Sequence, residues 1–559
     1  MEGRPQNPLI VQSDHTVLVE VDGPRYPEAR DALAPFAELV KSPEHIHTYR
    51  ITPLSIWNAR AAGHRAEEMV GVLTSLAKYP VPQNVVRDIQ DYADRYGRVR
   101  LVADGDDLLL EADDPRLITE AWGSTAVRKH LIQKVSPLRL RVDPTMRGHV
   151  KQAMIRLGYP VEDLAGYVEG GKLDLELRDR TSAGLEFGLR PYQTDAVDAF
   201  WAGGTARGGS GVIVLPCGAG KTIVGMGAIA RIGRKTLILT TNLTAVRQWQ
   251  EELRDKCNVA DEDIGEYTSR AKEIRPITVS TYQILTYRRS KTEEFKHFAL
   301  FSRNDWGLII YDEVHLLPAP VFRFTAEIQA TRRLGLTATL VREDGKEEDV
   351  FTLIGPKRCD VPWKVLERQG FIAQAACTEV RIPMSDDDRT RYASADRRQK
   401  FRIASENANK LSTLTRLLSA HDGDLVLVIG QYLRQLRKIA LVTGSALITG
   451  RTPNDERTRL YDSFKNGEIR RLIVSKVGNF AIDLPDANVL VQVSGTFGSR
   501  QEEAQRLGRI LRPKQGDGRA HFYSLVTRDT LDQDYAQNRQ LFLTEQGYSY
   551  RIIDDREVG

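Results

Sequence analysis

From Leu189 onward, short apolar runs, GVIVLP, TLILTT, ITVS, GLIIY and RRLGLTAT, alternate with stretches of helical periodicity, and the series restarts after Ile372 with LVLVIG, ALITG, RLIVS, VLVQVS and HFYSLV. A strand that is apolar on both faces cannot leave one face in water, so each series predicts a parallel sheet covered by helices on both sides. The fold expected is therefore α/β, with two parallel-sheet domains in tandem. A chain of 559 residues exceeds what one core can hold, which is roughly 250–300 residues, so further domains must precede these two.

Residues 1–125 mix short strands and helices, and VVRDIQDYADRYGRVRLVADGDDLLLEA reads as helix, strand, turn, strand. That succession suits an α+β domain, winged-helix-like or generic. Residues 126–182 read as a small domain or linker, 183–370 as the first α/β domain and 371–559 as the second.

With 79 Lys and Arg against 75 Asp and Glu, the formal charge is +4, so a polyanion would have to be held by local basic patches. Cys217, Cys257, Cys359 and Cys377 contain no CxxC pair, which excludes a spaced zinc or iron–sulfur ladder and fits a reducing compartment. The N-terminal text lacks a basic-then-apolar leader and no apolar run nears the ~20 residues of a membrane span. A cytoplasmic, nucleoid-associated protein without a membrane partner is expected.

The strand GVIVLP leads into Cys217-Gly218-Ala219-Gly220-Lys221-Thr222 and then the apolar helix IVGMGAIARI. Glycines let backbone N–H groups converge on phosphates, the helix N-terminus adds positive potential, Lys221 reaches the β/γ-phosphates and Thr222 offers a hydroxyl to Mg²⁺. The general phosphate-loop spacing would place glycine at Leu215, so the loop departs from it. Downstream, LGLIIY ends at Asp312-Glu313-Val314-His315: Asp312 suits a hydrated Mg²⁺ and Glu313 a water attacking the γ-phosphate. In QRLGRILR, Gln505, Arg506, Arg509 and Arg512 stand at helical spacings, with Arg509 and Arg512 on one face as candidate arginine fingers.

Leu189–Gln193, PCGAGKT, DEVH, the TAT of Thr337–Thr339, SKVGNFAIDLP and QRLGRILR occur in the order of superfamily 2 helicase motifs. The finer text, with Arg342-Glu343-Asp344 after TATL and SKVGNFAIDLPDANVLVQVSGTFGSRQEEAQRLGRILRPK, resembles the XPB (xeroderma pigmentosum group B) family of DNA helicases in its compact prokaryotic form. The helicase likeness covers roughly 183–540, and NPLIVQSDHTVLVEV extends it to the N-terminus.

The resemblance implies two RecA-like domains with a thumb-like insertion at about 385–408, and a damage-recognition-like domain at 126–182. It implies ATP and Mg²⁺ as cofactors, with Gln193 at the adenine edge, Arg190 and Tyr192 near the base, and Cys217, Gly218, Ala219, Gly220, Lys221 and Thr222 on the phosphates. It implies that Asp312 and Glu313 serve the metal and the attacking water. It further implies that Gln505, Arg509 and Arg512 complete the site, and that Gly478 and Asp483 join ATP state to strand contacts.

For DNA it implies phosphate contacts at Thr241, Arg247, Ser280 and Thr281, and a place near the strand junction for Arg342, Glu343 and Asp344. The thumb-like stretch carries Arg389, Arg391, Arg397, Arg398, Lys400 and Arg402 around Tyr392 and Phe401, cations for phosphates and aromatics for stacking. A solvated charged helix reads similarly. The function expected is an ATP-dependent 3′→5′ DNA helicase or translocase in nucleotide-excision repair, acting as a monomer on single-stranded, fork or duplex DNA with a repair nuclease or other repair factor. A double-stranded translocase without strand separation, or an ATP-switched scaffold, are the alternatives, and RNA is left open by the motifs alone.

Overall fold

A computed structural model of the chain describes residues 4–41, 45–216, 218–287, 296–297, 300, 304–328, 331–338, 347–361, 366, 369, 371, 374–475, 487–495, 519–545 and 549–558. Strands β1 (Leu9–Val11), β2 (Thr16–Glu20), β3 (Glu38–Lys41) and β4 (Ile46–Arg50) form an antiparallel sheet in the order β1-β2-β4-β3. Leu9, Val17, Val19 and Tyr49 from this sheet share a core with Ile56, Leu73, Val85 and Ile89 from the helices that follow. The first of those helices, Pro53–Ala61, is started by Thr52 and Ser55 capping each other's backbone with proline at its first position.

A second sheet takes β5 (Val99–Asp104), β6 (Asp107–Ala112), β7 (Leu131–Ser136), β8 (Arg139–Val142) and β9 (Val161–Asp163) in the order β7-β8-β6-β5-β9. It corrects two expectations. The helix Gln83–Arg95 and the β5–β6 hairpin do form, but they are not one winged-helix-like unit: Val85, Ile89 and Ala93 of the helix enter the first core, and Val99, Leu101 and Leu110 of the hairpin enter the second. Likewise the division at 125/126 runs through a single sheet, because β6 pairs with β8.

The second unit continues only to about Asp163. Leu173 and Leu175 belong to the core of the following α/β domain, with bridges from Lys172 to Arg234 and from Leu177 to Cys257. Residues 172–177 are thus a strap on that domain rather than part of a small domain ending at 182.

Both α/β series form as expected. Strands β10 (Ser210–Val214), β11 (Thr236–Thr240), β12 (Ile264–Tyr267), β13 (Ile277–Thr281), β14 (Leu308–Asp312), β15 (Arg332–Thr337) and β16 (Lys357–Asp360) lie in the order β12-β13-β11-β14-β15-β10-β16, every pair parallel. Strands β17 (Gln374–Ile382), β18 (Val426–Gly430), β19 (Ala446–Ile448), β20 (Arg471–Ser475), β21 (Val489–Gln492), β22 (Arg519–Thr527) and β23 (Ser549–Asp554) follow in the order β19-β20-β18-β21-β22-β17-β23, again all parallel. All five residues of β10, of β11 and of β18 are buried, as two-sided coverage demands.

The second unit is tied internally by charges. Asp163 accepts from Arg147 Nη2 at 2.6 Å and from Lys151 Nζ at 3.0 Å, and Arg147 and Lys151 are both buried. Burial opposes the charge on Asp163, yet Lys151 and then Arg147 outweigh it and hold its carboxyl well below the usual carboxylate range. Removing the anion leaves two buried cations uncompensated, a loss of about 3–5 kcal/mol for a broken buried pair. Asp163→Asn is therefore expected to shift unfolding of this unit to clearly lower urea, whereas Asp106→Asn, on the exposed turn between β5 and β6, should leave the midpoint unchanged.

Candidate nucleotide site

The parallel register brings the C-terminal ends of β14, β15 and β10 side by side, with Asp312 opposite Leu336 and Val214 opposite Thr337. Ligands of open parallel sheets sit at this edge. β10 leaves it through Pro216 to Gly218 and Gly220, whose φ values of +83° and +79° suit only residues free to adopt the left-handed region. Gly220 caps the helix Lys221–Ile232, and a Cβ there would meet the Gln193 side chain at 2.6 Å. That helix presses close enough on its neighbour that a Cβ at Gly225 would lie 2.4 Å from the Trp249 ring.

Lys221 Nζ donates to Glu313 Oε1 at 2.5 Å. Glu313 itself has φ +52°, a conformation that costs a non-glycine residue energy and recurs at functional sites. His315 Nδ1 lies 3.6 Å from the second Glu313 oxygen and 2.6 Å from the Thr337 hydroxyl. Burial works against the Glu313 charge, but Lys221, then His315, then the Ala338 N–H prevail and keep its carboxyl below the ordinary value. Asp312 goes the other way: burial, then the charge of Glu313, push it up to about 6, although the Trp249 indole donates to its Oδ2 at 2.9 Å. The two adjacent acids are thus differentiated by their surroundings, one paired with a cation and one buried against a neighbouring anion.

Gln193 is buried, with its amide donating to the Ala219 carbonyl at 3.0 Å and its oxygen accepting from the Arg190 N–H at 2.9 Å. Tyr192 Oη donates to the same carbonyl at 2.8 Å. Arg190 stacks over Phe371 at 4.7 Å, and Tyr192 packs on that ring at 5.4 Å. Gln193 and Tyr192 therefore brace the phosphate loop from below, and the Gln193 amide expected to face a base is engaged with backbone here.

Of the expected strand contacts, Arg247 is exposed and Thr241 half-buried at the end of β11. Ser280 is fully buried and donates to the Tyr267 carbonyl at 2.6 Å, and buried Thr281 caps the Tyr282–Leu285 helix. These two hydroxyls tie strand and helix ends together instead of facing a ligand, because β13 is enclosed between β11 and β12. In the thumb-like stretch the helices are Asp386–Ser394 and Arg397–Ser405. Arg397 and Arg398 are exposed and Lys400 lies over the Tyr392 ring at 5.6 Å. The aromatics are not available for stacking as expected: Phe401 is buried edge-on against Tyr535 at 5.0 Å, and Tyr392 Oη accepts from the Leu531 N–H. They anchor the two helices to the second α/β domain.

Cys217, Arg342, Glu343, Asp344, Gly478, Asp483, Gln505, Arg509 and Arg512 lie outside the described residues. Trp249 and Phe371 are parts of the site that residue patterns did not single out, whereas Thr337, which opens the TAT motif, is now seen to meet His315. Trp249 stands at the helical spacing of Val246 and Leu253, indistinguishable from core until the strand end carrying Asp312 is placed beside it.

A phosphate loop and paired acids at the C-terminal edge of one all-parallel sheet, followed by a second sheet of the same kind, define a two-domain RecA-like nucleotide-driven motor, the architecture of superfamily 2 helicases. The model described as ERCC3/RAD25/XPB C-terminal helicase matches residues 366–558, the type III restriction enzyme res subunit model matches 186–342, and a helicase conserved C-terminal domain model matches 9–136. A Mycobacterium tuberculosis protein named DNA 3'-5' helicase XPB is 54% identical over 98% of this chain and 98% of its own. An Antonospora locustae protein named general transcription and DNA repair factor IIH helicase/translocase subunit XPB is 35% identical over 98% of this chain and 81% of its own. In fold, the chain is similar to the ATP-dependent Type ISP restriction-modification enzyme LlaBIII bound to DNA, with TM-score 0.50, 13% identity, 66% of this chain and 31% of that one. This chain belongs to the XPB helicase family. Among the described residues no helix is long and apolar enough to cross a membrane.

A hydrogen bond to a charged group is worth about 1.5–3 kcal/mol, so loss of the indole donor should loosen Asp312. Trp249→Phe, which keeps most of the buried ring, is expected to lower kcat for ATP hydrolysis by roughly tenfold to a hundredfold with KM for ATP changed far less.

Proposed function

We propose that this chain uses ATP hydrolysis to move 3′→5′ along DNA and separate its strands in excision-type repair. The observation that carries this reading is the Lys221–Glu313–His315–Thr337 chain at the strand ends, seated in a protein whose near-full-length relatives carry the names given above. Lys221, held by Glu313 here, would be freed to reach the β/γ-phosphates, leaving Glu313 supported by His315 and the Ala338 N–H to orient the attacking water. The donor set suits Mg²⁺ bound jointly with phosphates: a carboxylate and a hydroxyl, which is what that ion takes from protein in nucleotide sites. A cation beside Asp312 would also offset the burial and the Glu313 repulsion that raise its pKa. Thr222 and Asp312 would hold the ion, which would supply charge neutralisation on the phosphate oxygens.

In this reading Gln505, Arg509 and Arg512 approach from the second domain when the two close, and Gly478 and Asp483 relay that state. Thr241 and Arg247 contact the strand on the first domain, and Arg397, Arg398 and Lys400 grip it on the second, with Arg342, Glu343 and Asp344 at the junction. Net movement requires that open and closed states hold the strand differently. A repair nuclease or other repair factor would act with it.

Lys221→Ala is expected to reduce ATP hydrolysis at least a hundredfold while changing DNA affinity less than threefold. On duplexes with a single tail, the unaltered protein should open the 3′-tailed substrate and leave the 5′-tailed one intact. DNA-stimulated hydrolysis without opening of either would move the assignment to a duplex translocase.

A further inference from the structure

We infer that the chain carries a second, non-catalytic anion site for a small phosphate-bearing ligand, at the opposite edge of the first parallel sheet from the phosphate loop. A cavity of about 530 Å³ lies there, walled by Arg60 of the first unit, by Lys151, Glu162 and Asp163 of the second, and by Ser210, Arg333 and Arg358 of the α/β domain. Ser210 begins β10, whose other end feeds the phosphate loop, so the two sites are separated by one five-residue strand, roughly 16 Å. The volume falls in the range of small-ligand sites.

Its charge is out of balance. Seven Lys and Arg side chains line it against three carboxylates, and each carboxylate is already engaged. Asp163 is held by Arg147 and Lys151, Glu162 lies 2.9 Å from Arg207, and Asp113 lies 3.1 Å from Arg98. Arg358 is held by two neutral carbonyls, Nε donating to Ser210 O at 2.9 Å and Nη2 to Arg207 O. It runs so close over β10 that a Cβ at Gly211 would meet its Cγ at 2.4 Å. Arg60 gives Nη1 to the His64 carbonyl at 3.1 Å, while its buried Nε has no hydrogen-bond partner. Among the described residues neither guanidinium has a carboxylate within 4 Å.

Half-buried cations with no carboxylate in hydrogen-bonding reach have lost part of their hydration, at some cost. An anion with at least two charges and several oxygens in one small volume offsets that cost, and guanidinium forks match phosphate oxygens best. The class of ligand is thus a pyrophosphate or a phosphorylated small molecule of nucleotide size. Because its contacts come from three packed units, occupancy would fasten the N-terminal units to the motor domain. Arg333 and Ser210 sit at the starts of β15 and β10, whose far ends carry Thr337 and the phosphate loop, so the site can bias the motor through rigid strands.

The test is calorimetric titration of pyrophosphate into full-length Lys221→Ala protein, which weakens the catalytic phosphate loop, and into the same protein carrying Arg358→Gln or Arg60→Gln in addition. Binding to Lys221→Ala that weakens at least tenfold with either added substitution, with thermal stability in phosphate-free buffer retained in at least one of them, supports the site. Absence of binding to Lys221→Ala, or equal binding by all three proteins, overturns it. Full displacement of pyrophosphate by a short single-stranded oligonucleotide would also overturn it, because the cavity would then be part of the DNA path. Each outcome is read without turnover or unwinding, so it stands apart from the helicase reading.

Discussion

The constraint on which the rest depends is that the inner strands of both parallel sheets are buried on each face. A buried strand exposes a charged group to a ligand most readily where it ends, since one within the sheet, such as Glu379 beside Arg381, is enclosed with its partner; the chemistry gathers where β14, β15 and β10 stop together. Asp312 and Glu313 leave the core at the same edge as Pro216–Thr222 because parallel pairing fixes that register over five residues at a time. A one-residue slip of β14 would carry Asp312 into the sheet interior and expose an apolar side chain in its place.

At that edge, nearly every functional group leans on another. Lys221 neutralises Glu313, Glu313 is backed by His315, which Thr337 holds in turn, and Trp249 holds Asp312. The loop between them is braced from below by Gln193 and Tyr192 on a single carbonyl. Since Thr337 ends β15 and Phe371 stacks beneath Arg190 just before the second α/β domain begins, the neighbours of the nucleotide site are also the elements that join it to the rest of the motor. The strain at Glu313, at φ +52°, sits within this web and is sustained by it.

The N-terminal units are bound to the motor by different means. Asn58 accepts from the Lys357 backbone at 3.0 Å, Gln152 donates to Asp349 at 2.8 Å, and the strap from Lys172 to Leu177 runs along β-strand and helix ends of the first α/β domain. Polar contacts and a basic seam, rather than one continuous apolar core, join these parts, since the first two units each close their own cluster of buried side chains. Such seams respond to ions and ligands more readily than an apolar interface does, because their energy depends on local charge.

Apolar run length and the alternation of strand with helix determined by themselves that two parallel-sheet domains stand in tandem, and glycines before Lys221-Thr222 marked where a phosphate would lie. These signals are local: periodicity, turn chemistry and helix starts are written within ten or so residues. Only tertiary structure decided what the polar groups meet. Ser280 and Phe401 have the chemistry of ligand contacts but are turned inward, because β13 is enclosed by neighbours and Phe401 finds Tyr535 far along the chain. The Gln83–Arg95 helix and its following hairpin parted company because each had its own core to fill, and Trp249 became a partner of Asp312 across sixty-three residues. Burial and long-range pairing are set by which elements pack together, and no local pattern carries that information.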